Sequence, residues 1–388
     1  MNTASTGMGK QPEQRMARSR KRHFLFAVFS VFLSGAASLY IAEWCLSYQR
    51  HSIERSDRLQ PGMILYDPRL GWRLNPNWRG SHQHHDFNVE YSINRFGFRG
   101  RPPSDTAARR YAVVGDSFSF GQGVGDDATF VELLNSASGK AEFLNFGVPG
   151  YSTDQQYLLI RERVKLFEPD GLLLVVYLGN DLFDNARPFP LQGDHAKPYY
   201  RLHPDGSLEL LNTPVPRESR PAAARTDNLA HLVLGESQSP PTVLQRWLGD
   251  FEITRRLGLF QPDDRVDDAG FAARFSYHRA LFKALIERIS GSARELQAAL
   301  TVVLLPGRSY VDNPASVSAG YQDFLRRSLL SDLSSMADVE TIDLAVALRE
   351  ARDKGNDELY YPNEGHLSPQ GHVLVARLLG ERLAKKVF

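Results

Sequence analysis

Five short apolar runs recur along the chain, at Tyr111–Val114, Phe143–Phe146, Leu172–Tyr177, Leu300–Leu305 and Thr341–Leu344. Patterns of helical period lie between or after them, at 126–137, 153–168, 271–299, 318–336 and 370–386. Short runs without a polar face fit strands that are covered on both sides. Strands alternating with helices predict a doubly wound parallel five-stranded α/β sheet, with right-handed crossovers that place helices on both faces. Residues 183–265 interrupt the alternation. They are rich in Pro, Arg, Asp and Ser, with little apolar periodicity. An interruption that long inside a compact domain is functional or disordered. It is read as a cap or insertion over the strand ends, within a main domain spanning 106–388.

Ahead of the sheet lies a different pattern. Phe87–Asn94 alternates apolar and polar residues, which predicts a short strand. Residues 61–100 are read as a β-rich lead-in packed on the main domain, after a Ser/Gln/Arg-rich stalk at 47–60. Further upstream, Phe24 to Ala42 is an uncharged, mostly apolar run of 19 residues. As a helix it spans roughly 28 Å, close to the thickness of a bilayer's hydrocarbon. A basic cluster at 15–23 precedes it and Glu43 follows it. That asymmetry predicts a signal anchor over 24–46, with the basic tail 1–23 in the cytoplasm and the body outside the cytoplasmic membrane, periplasmic in a double-membraned cell. The alternative is a cleaved signal peptide ending near Gly35-Ala36-Ala37. Residues 1–14 are polar and expected to be disordered.

Composition narrows the function classes. The 388 residues carry a formal net charge of +1, which argues against a nucleic-acid partner. Cys45 is the single cysteine. A disulfide framework and a cysteine metal site are therefore excluded. The stretch Ser81-His82-Gln83-His84-His85-Asp86 offers metal-type ligands, but its spacing fits a solvated loop between strands better than a fixed coordination geometry.

Candidate chemistry sits where the strands end. Gly115-Asp116-Ser117 follows the first run, and a serine on that turn exposes its hydroxyl at the carboxyl end of a strand, where open α/β sheets bind ligands. Asn145-Phe146-Gly147-Val148-Pro149-Gly150 follows the second, Gly179-Asn180-Asp181 the third, and Asn363-Glu364-Gly365-His366 precedes the last helix. A hydroxyl needs a base to become a nucleophile, and the base needs an orienting partner. His366 is the candidate base, and Glu364 or Asn363 its partner. The backbone N–H groups of Ser117 and Gly150 and the amide of Asn180 are candidate donors to an oxyanion. Each block alone is ordinary turn chemistry. Asp116 and Asp181 are read as braces of their turns. His372 falls inside the last helical pattern and is read as a half-buried structural residue.

Taken together, these blocks resemble the SGNH hydrolases, also called the GDSL esterase/lipase family, over about residues 110–388. The resemblance implies a flavodoxin-like sheet. It implies Ser117 as nucleophile, Gly150 (in preference to Gly147) and Asn180 as oxyanion donors beside the Ser117 N–H, and His366 as base. The family places an aspartate two or three residues before its histidine. Here Glu364 and Asn363 hold those positions, and Glu364 is assigned as the acid. The lead-in sequences Asp67–Trp72 and Asn94–Gly100 resemble the pre-domain of membrane-anchored bacterial members. The implied function is a serine esterase that needs no metal or cofactor. Its expected substrate is an acyl ester, such as an acetyl ester, of a carbohydrate or envelope polymer. An O-acyltransferase and an inactive scaffold of the same fold are the alternatives.

Overall fold

The computed structural model describes residues 11–139, 141–191, 193–220 and 267–387. The chain divides into two units, residues 1–55 with 239–263, and residues 56–238 with 264–388. In the first, one helix, Gln11–Ser56, carries the apolar segment. Its stretch Arg20–Ile53 is long and apolar enough to cross a membrane, as a signal sequence can also be. Phe26, Phe32 and Tyr40 are 72 %, 72 % and 73 % exposed, so these side chains are not covered by protein. The helix does not stop where a stalk was expected. It continues to Ser56, and Ser47 Oγ donates to Glu43 Oε1 one turn back at 3.2 Å. Of the tail expected to be disordered over 1–14, residues 1–10 lie outside the described residues and 11–14 form the first turn of this helix; most of the expected insertion, 221–265, also lies outside the described residues.

The second unit opens with the lead-in, made of β1 (Arg58–Leu59), β2 (Ile64–Asp67), β3 (Gly71–Leu74), β4 (Arg79–Gln83) and β5 (Asn88–Ser92). β2 pairs antiparallel with β3, and β4 lies between β1 and β5. The main sheet follows with β6 (Arg109–Gly115), β7 (Ala141–Gly147) and β8 (Gly171–Tyr177). A small hairpin, β9 (Tyr199–Leu202) with β10 (Leu208–Leu211), occupies the described start of the insertion. β11 (Ala299–Leu305) and β12 (Val339–Asp343) complete the sheet.

The sheet order is β12-β11-β8-β6-β7 and every neighbouring pair is parallel. Counting only these five strands, the order is 2-1-3-4-5, the flavodoxin-like doubly wound arrangement. The chain steps from β6 outward to β7 and then back across β6 to β8. Ligands bind at such a reversal, outside the carboxyl ends of the two inner strands.

The strand runs are continuously apolar because both faces are covered. Ala112, Val114, Leu144, Leu172, Leu174, Val302 and Leu304 face a core shared with the helices Thr153–Glu162, Asp268–Glu295 and Val317–Ser334. Their neighbours Tyr111, Val113, Phe143, Leu173, Val175 and Val303 face a second core under Phe130–Ala137, Ala345–Asp353 and Pro369–Val387. Alternation with period two splits each run between the layers. The helix Ala345–Asp353 has no counterpart in the sequence reading. It presents a short apolar stripe, Ala345, Leu348 and Ala351, that spans too few turns to register as a period.

Candidate active site

β6 delivers its serine through a tight local device. The chain leaves the strand at Gly115 and enters a four-residue helix, Ser117–Phe120. Asp116 caps that helix, its carboxylate accepting from Phe118 N at 2.9 Å. Gly147, opposite Gly115 in the register, lets the two backbones approach. A Cβ there would stand 2.2 Å from Phe120 N, so any other residue would push the serine's helix off the sheet.

His366 Nε2 lies 2.6 Å from Ser117 Oγ, and His366 Nδ1 lies 2.7 Å from Glu364 Oε1. A proton on Nδ1 donated to the carboxylate leaves the Nε2 lone pair facing the serine hydroxyl, the tautomer a general base requires. The ring rests against Phe118, with centroids 4.4 Å apart. Glu364 also accepts from His366 N at 3.0 Å and from Gln122 Nε2 at 2.7 Å. Burial pushes this carboxyl up, but the bonds and charge of His366 and the Gln122 bond outweigh it, and Glu364 sits below its ordinary value. Asn363 is turned elsewhere. Its Nδ2 and its backbone N–H both donate to Asp86, at 2.6 and 2.8 Å.

The remaining candidates share one cleft with the serine. Its walls include Asp116, Ser117, Gln122, Gly150, Asn180 and His366, together with Trp72 and His195, around a volume of about 250 Å³. Gly150 has φ of +81°, a left-handed conformation suited to glycine. Asn180 Nδ2 donates one proton to Asp184 Oδ2 at 2.5 Å. Asn180 also lines the cleft, and an amide carries a second proton. Burial pushes Asp184 up, against the pull of Asn180 and Lys197, to about 6. Asp181 braces its turn, accepting from Tyr177 N at 3.0 Å.

Several residues that shape the site carry no signal in the sequence reading. Asp184 stands four positions after Asn180, a helical spacing that hints at it. Gln122 lies within the serine's own Gly-rich stretch. Trp72 comes from the lead-in and donates from Nε1 to Pro149 O at 3.0 Å, next to Gly150. Tyr151 returns the link by donating to Trp72 O. His82 and His84 serve structural ends. His82 is held between Tyr91 Oη at 2.8 Å and Asp57 Oδ1 at 2.6 Å, and His84 stacks on Phe87. Among the described residues no cluster of three His, Cys, Asp or Glu is placed to hold a metal ion.

His372 is fully buried rather than half-buried, and its Nδ1 accepts from Phe130 N at 3.1 Å. Burial, with Arg99 and His366 nearby, pushes its pKa down to about 3. Between about 6.5 and 3 the unfolded chain binds a proton that the folded chain refuses, so this group lowers stability as pH falls. The stability advantage of the parent over His372→Gln is therefore expected to shrink by about 2–3 kcal/mol between pH 7 and pH 4.5. Urea unfolding at both pH values measures it, and a gap that does not change with pH would refute neutral burial.

No family model matches the chain, and no curated protein matches it. Solved structures do resemble it. A lipase/acylhydrolase from Enterococcus faecalis is 14 % identical, covering 72 % of this chain and 97 % of its own, with a TM-score of 0.35. A lipolytic protein of the G-D-S-L family from Veillonella parvula is 12 % identical, covering 72 % and 100 %, with a TM-score of 0.39. A catalytic mutant of an acetylxylan esterase from Geobacillus stearothermophilus is 11 % identical, covering 71 % and 94 %, with a TM-score of 0.37. At these values the reading of function stands on the chain's own geometry.

Proposed function

We propose that the chain is a serine ester hydrolase of the SGNH type. The observation that carries the reading is the unbroken hydrogen-bonded line Ser117 Oγ–His366 Nε2 and His366 Nδ1–Glu364 Oε1, at 2.6 and 2.7 Å, opening into a cleft with Gly150 and Asn180. Ser117 Oγ attacks the ester carbonyl carbon while His366 Nε2 takes the hydroxyl proton. Negative charge moves to the carbonyl oxygen, toward the N–H groups of Ser117 and Gly150 and the Asn180 amide. The tetrahedral adduct collapses, the C–O bond to the alcohol breaks, and His366 returns the proton to the departing oxygen. Water, deprotonated by the same histidine, then attacks the acyl carbon, the bond from that carbon to Ser117 Oγ breaks, and His366 returns the proton to Oγ as the acid leaves. Glu364 holds the imidazolium in place during both steps.

The substrate class follows from the cleft and the N-terminus. About 250 Å³ with mixed polar and apolar walls suits a short acyl group, such as acetyl, on a hydroxylated alcohol. The apolar helix, read as an uncleaved anchor with the basic tail inside, would place the domain at the outer side of the cytoplasmic membrane. An acylated glycan of the envelope is the substrate that combines both. The inactive-scaffold reading rests on Asn363 and Glu364 standing where the family has an aspartate, and the pairing of Glu364 with Nδ1 argues against it. Acetate release from an acetylated oligosaccharide tests the proposal. Steady release in water alone is expected. Release that needs an added acceptor sugar, with acetate appearing on that sugar, would instead make the chain an acyltransferase.

A further inference from the structure

One of the residues that hold the acid–base loop comes from outside the sheet domain. The loop Tyr361–His366 closes on itself, with Tyr361 N donating to His366 O at 2.8 Å and Gly365 N to Tyr361 O at 3.1 Å. Closing it does not set where Glu364 stands relative to the sheet. That position is held by Gln122 on the Glu364 carboxylate, by Arg308 Nη1, which donates to Tyr361 O at 3.2 Å and to Pro362 O, and by Asp86, at the tip of the hairpin between β4 and β5. One Asp86 oxygen, Oδ2, accepts the backbone N–H groups of both Asn363 and Glu364, each at 2.8 Å. The other, Oδ1, accepts Asn363 Nδ2 at 2.6 Å. The Asp86 side chain is only 4 % exposed. Its own loop is preformed, since Asp86 N donates to His84 Nδ1 at 3.2 Å and His84 N to Phe87 O at 2.8 Å. Phe87 packs on Tyr361, with centroids 5.2 Å apart, and Tyr361 Oη donates to Gly123 O at 2.8 Å. Hairpin, acid–base loop and the serine's Gly-rich stretch thus form one continuous contact.

We propose that Asp86 is a positioning residue of the active site, holding Glu364 and through it the His366 ring in register with Ser117. The inference rests on the hydrolase reading above. A carboxylate is suited to the task because it offers two acceptor oxygens to three donors and carries no proton of its own to oppose them. Without it, two backbone N–H groups and one amide lose their acceptor directly beside the acid. The loop then samples positions in which Nδ1 and Glu364 Oε1 no longer meet.

The test uses the full chain in detergent with p-nitrophenyl acetate, and compares Asp86→Ala in the parent and in a Glu364→Ala background. In the parent, kcat is expected to fall about tenfold to a hundredfold while KM stays within about twofold, as a loss of alignment requires. In the Glu364→Ala background the same change is expected to alter kcat less than about twofold, because the residue it acts through is gone. A purely structural role would cost the same factor in both backgrounds, and that result overturns the inference. If Asp86→Ala does not fold, as its thermal transition would show, Asp86→Ser replaces it. That variant keeps a polar group at the hairpin tip but has one shorter acceptor where three donors met two oxygens, and a folded Asp86→Ser with parental kcat also overturns the inference. Failure of the underlying reading looks different: Ser117→Ala then turns over the ester at the parental rate. If Ser117→Ala and Glu364→Ala both lose activity and Asp86→Ala does not, only the role of Asp86 falls.

Discussion

Ser117→Ala is expected to abolish labelling by a fluorophosphonate probe and to lower kcat on p-nitrophenyl acetate by at least about a thousandfold. The substitution removes the one atom that can form the acyl bond. It leaves the Gly150 and Asn180 donors and His366 in place, so a small residual hydrolysis by water is expected rather than none. The fold should be unaffected, because the Oγ contact is to His366 on the cleft side and the capping of the short helix belongs to Asp116. His366→Ala should lose turnover to a similar degree, and combining the two should add little, since residues that act as a unit do not contribute independently. Labelling that survives in Ser117→Ala would mean that another nucleophile carries the reaction. A parent chain that is not labelled at all would sink the enzymatic reading.

The second large effect separates the two residues that precede His366. Glu364→Gln is expected to lower kcat by about a hundredfold to ten-thousandfold, and Asn363→Ala by less than about tenfold. Glutamine can turn its NH2 toward His366 Nδ1, which then must present a lone pair, so the proton moves to Nε2 and the ring can no longer accept from Ser117. The charge matters as well. Despite its burial, Glu364 is held ionised by His366 and Gln122, and the imidazolium formed in each step leans on that charge. Asn363 keeps its side chain on Asp86 at 2.6 Å. Steady-state kinetics on both variants decides between them. Equal losses would return the acid's role to an open choice between the two positions.

The sheet is legible in the sequence because of its physical setting. Strands covered on both faces must be apolar at every position, so Leu172–Tyr177 and Leu300–Leu305 stand out with no knowledge of the fold. Ser117, Gly150, Asn180 and His366 are legible because each sits in a turn directly after a strand or before a helix, where residue type is constrained by backbone geometry. What sequence order hides is partnership across long separations. Asp86 lies 277 positions from Asn363, in a stretch whose histidines draw attention to metal chemistry. Trp72 stands in the sequence only as the end of the Asp67–Trp72 stretch of the lead-in, yet its indole N–H bonds the carbonyl beside Gly150. The choice between Glu364 and Asn363 could not be made from spacing, because one residue of chain can turn either side chain toward the ring. The helix Ala345–Asp353 escaped notice for a different reason: three small or apolar residues over nine positions carry too little periodicity.

The lead-in sets where the chain can be cut. Asp57 Oδ1 meets His82 Nε2 at 2.6 Å, and Arg58–Leu59 pairs with β4, the strand that leads to Asp86. Arg99 is 2 % exposed and donates to the carbonyls of Phe120, Gly121 and Val124, at 2.7, 2.5 and 2.5 Å, which fastens the far end of the serine's helix. A fragment trimmed to begin at β6 would keep the whole parallel sheet with Ser117, His366 and Glu364, but would lose Trp72 from the cleft wall. It would also strand three carbonyls around a missing guanidinium, free the acid–base loop from Asp86, and release the indole from Pro149. The smallest working piece of this protein therefore begins no later than Asp57, one residue past the end of the apolar helix.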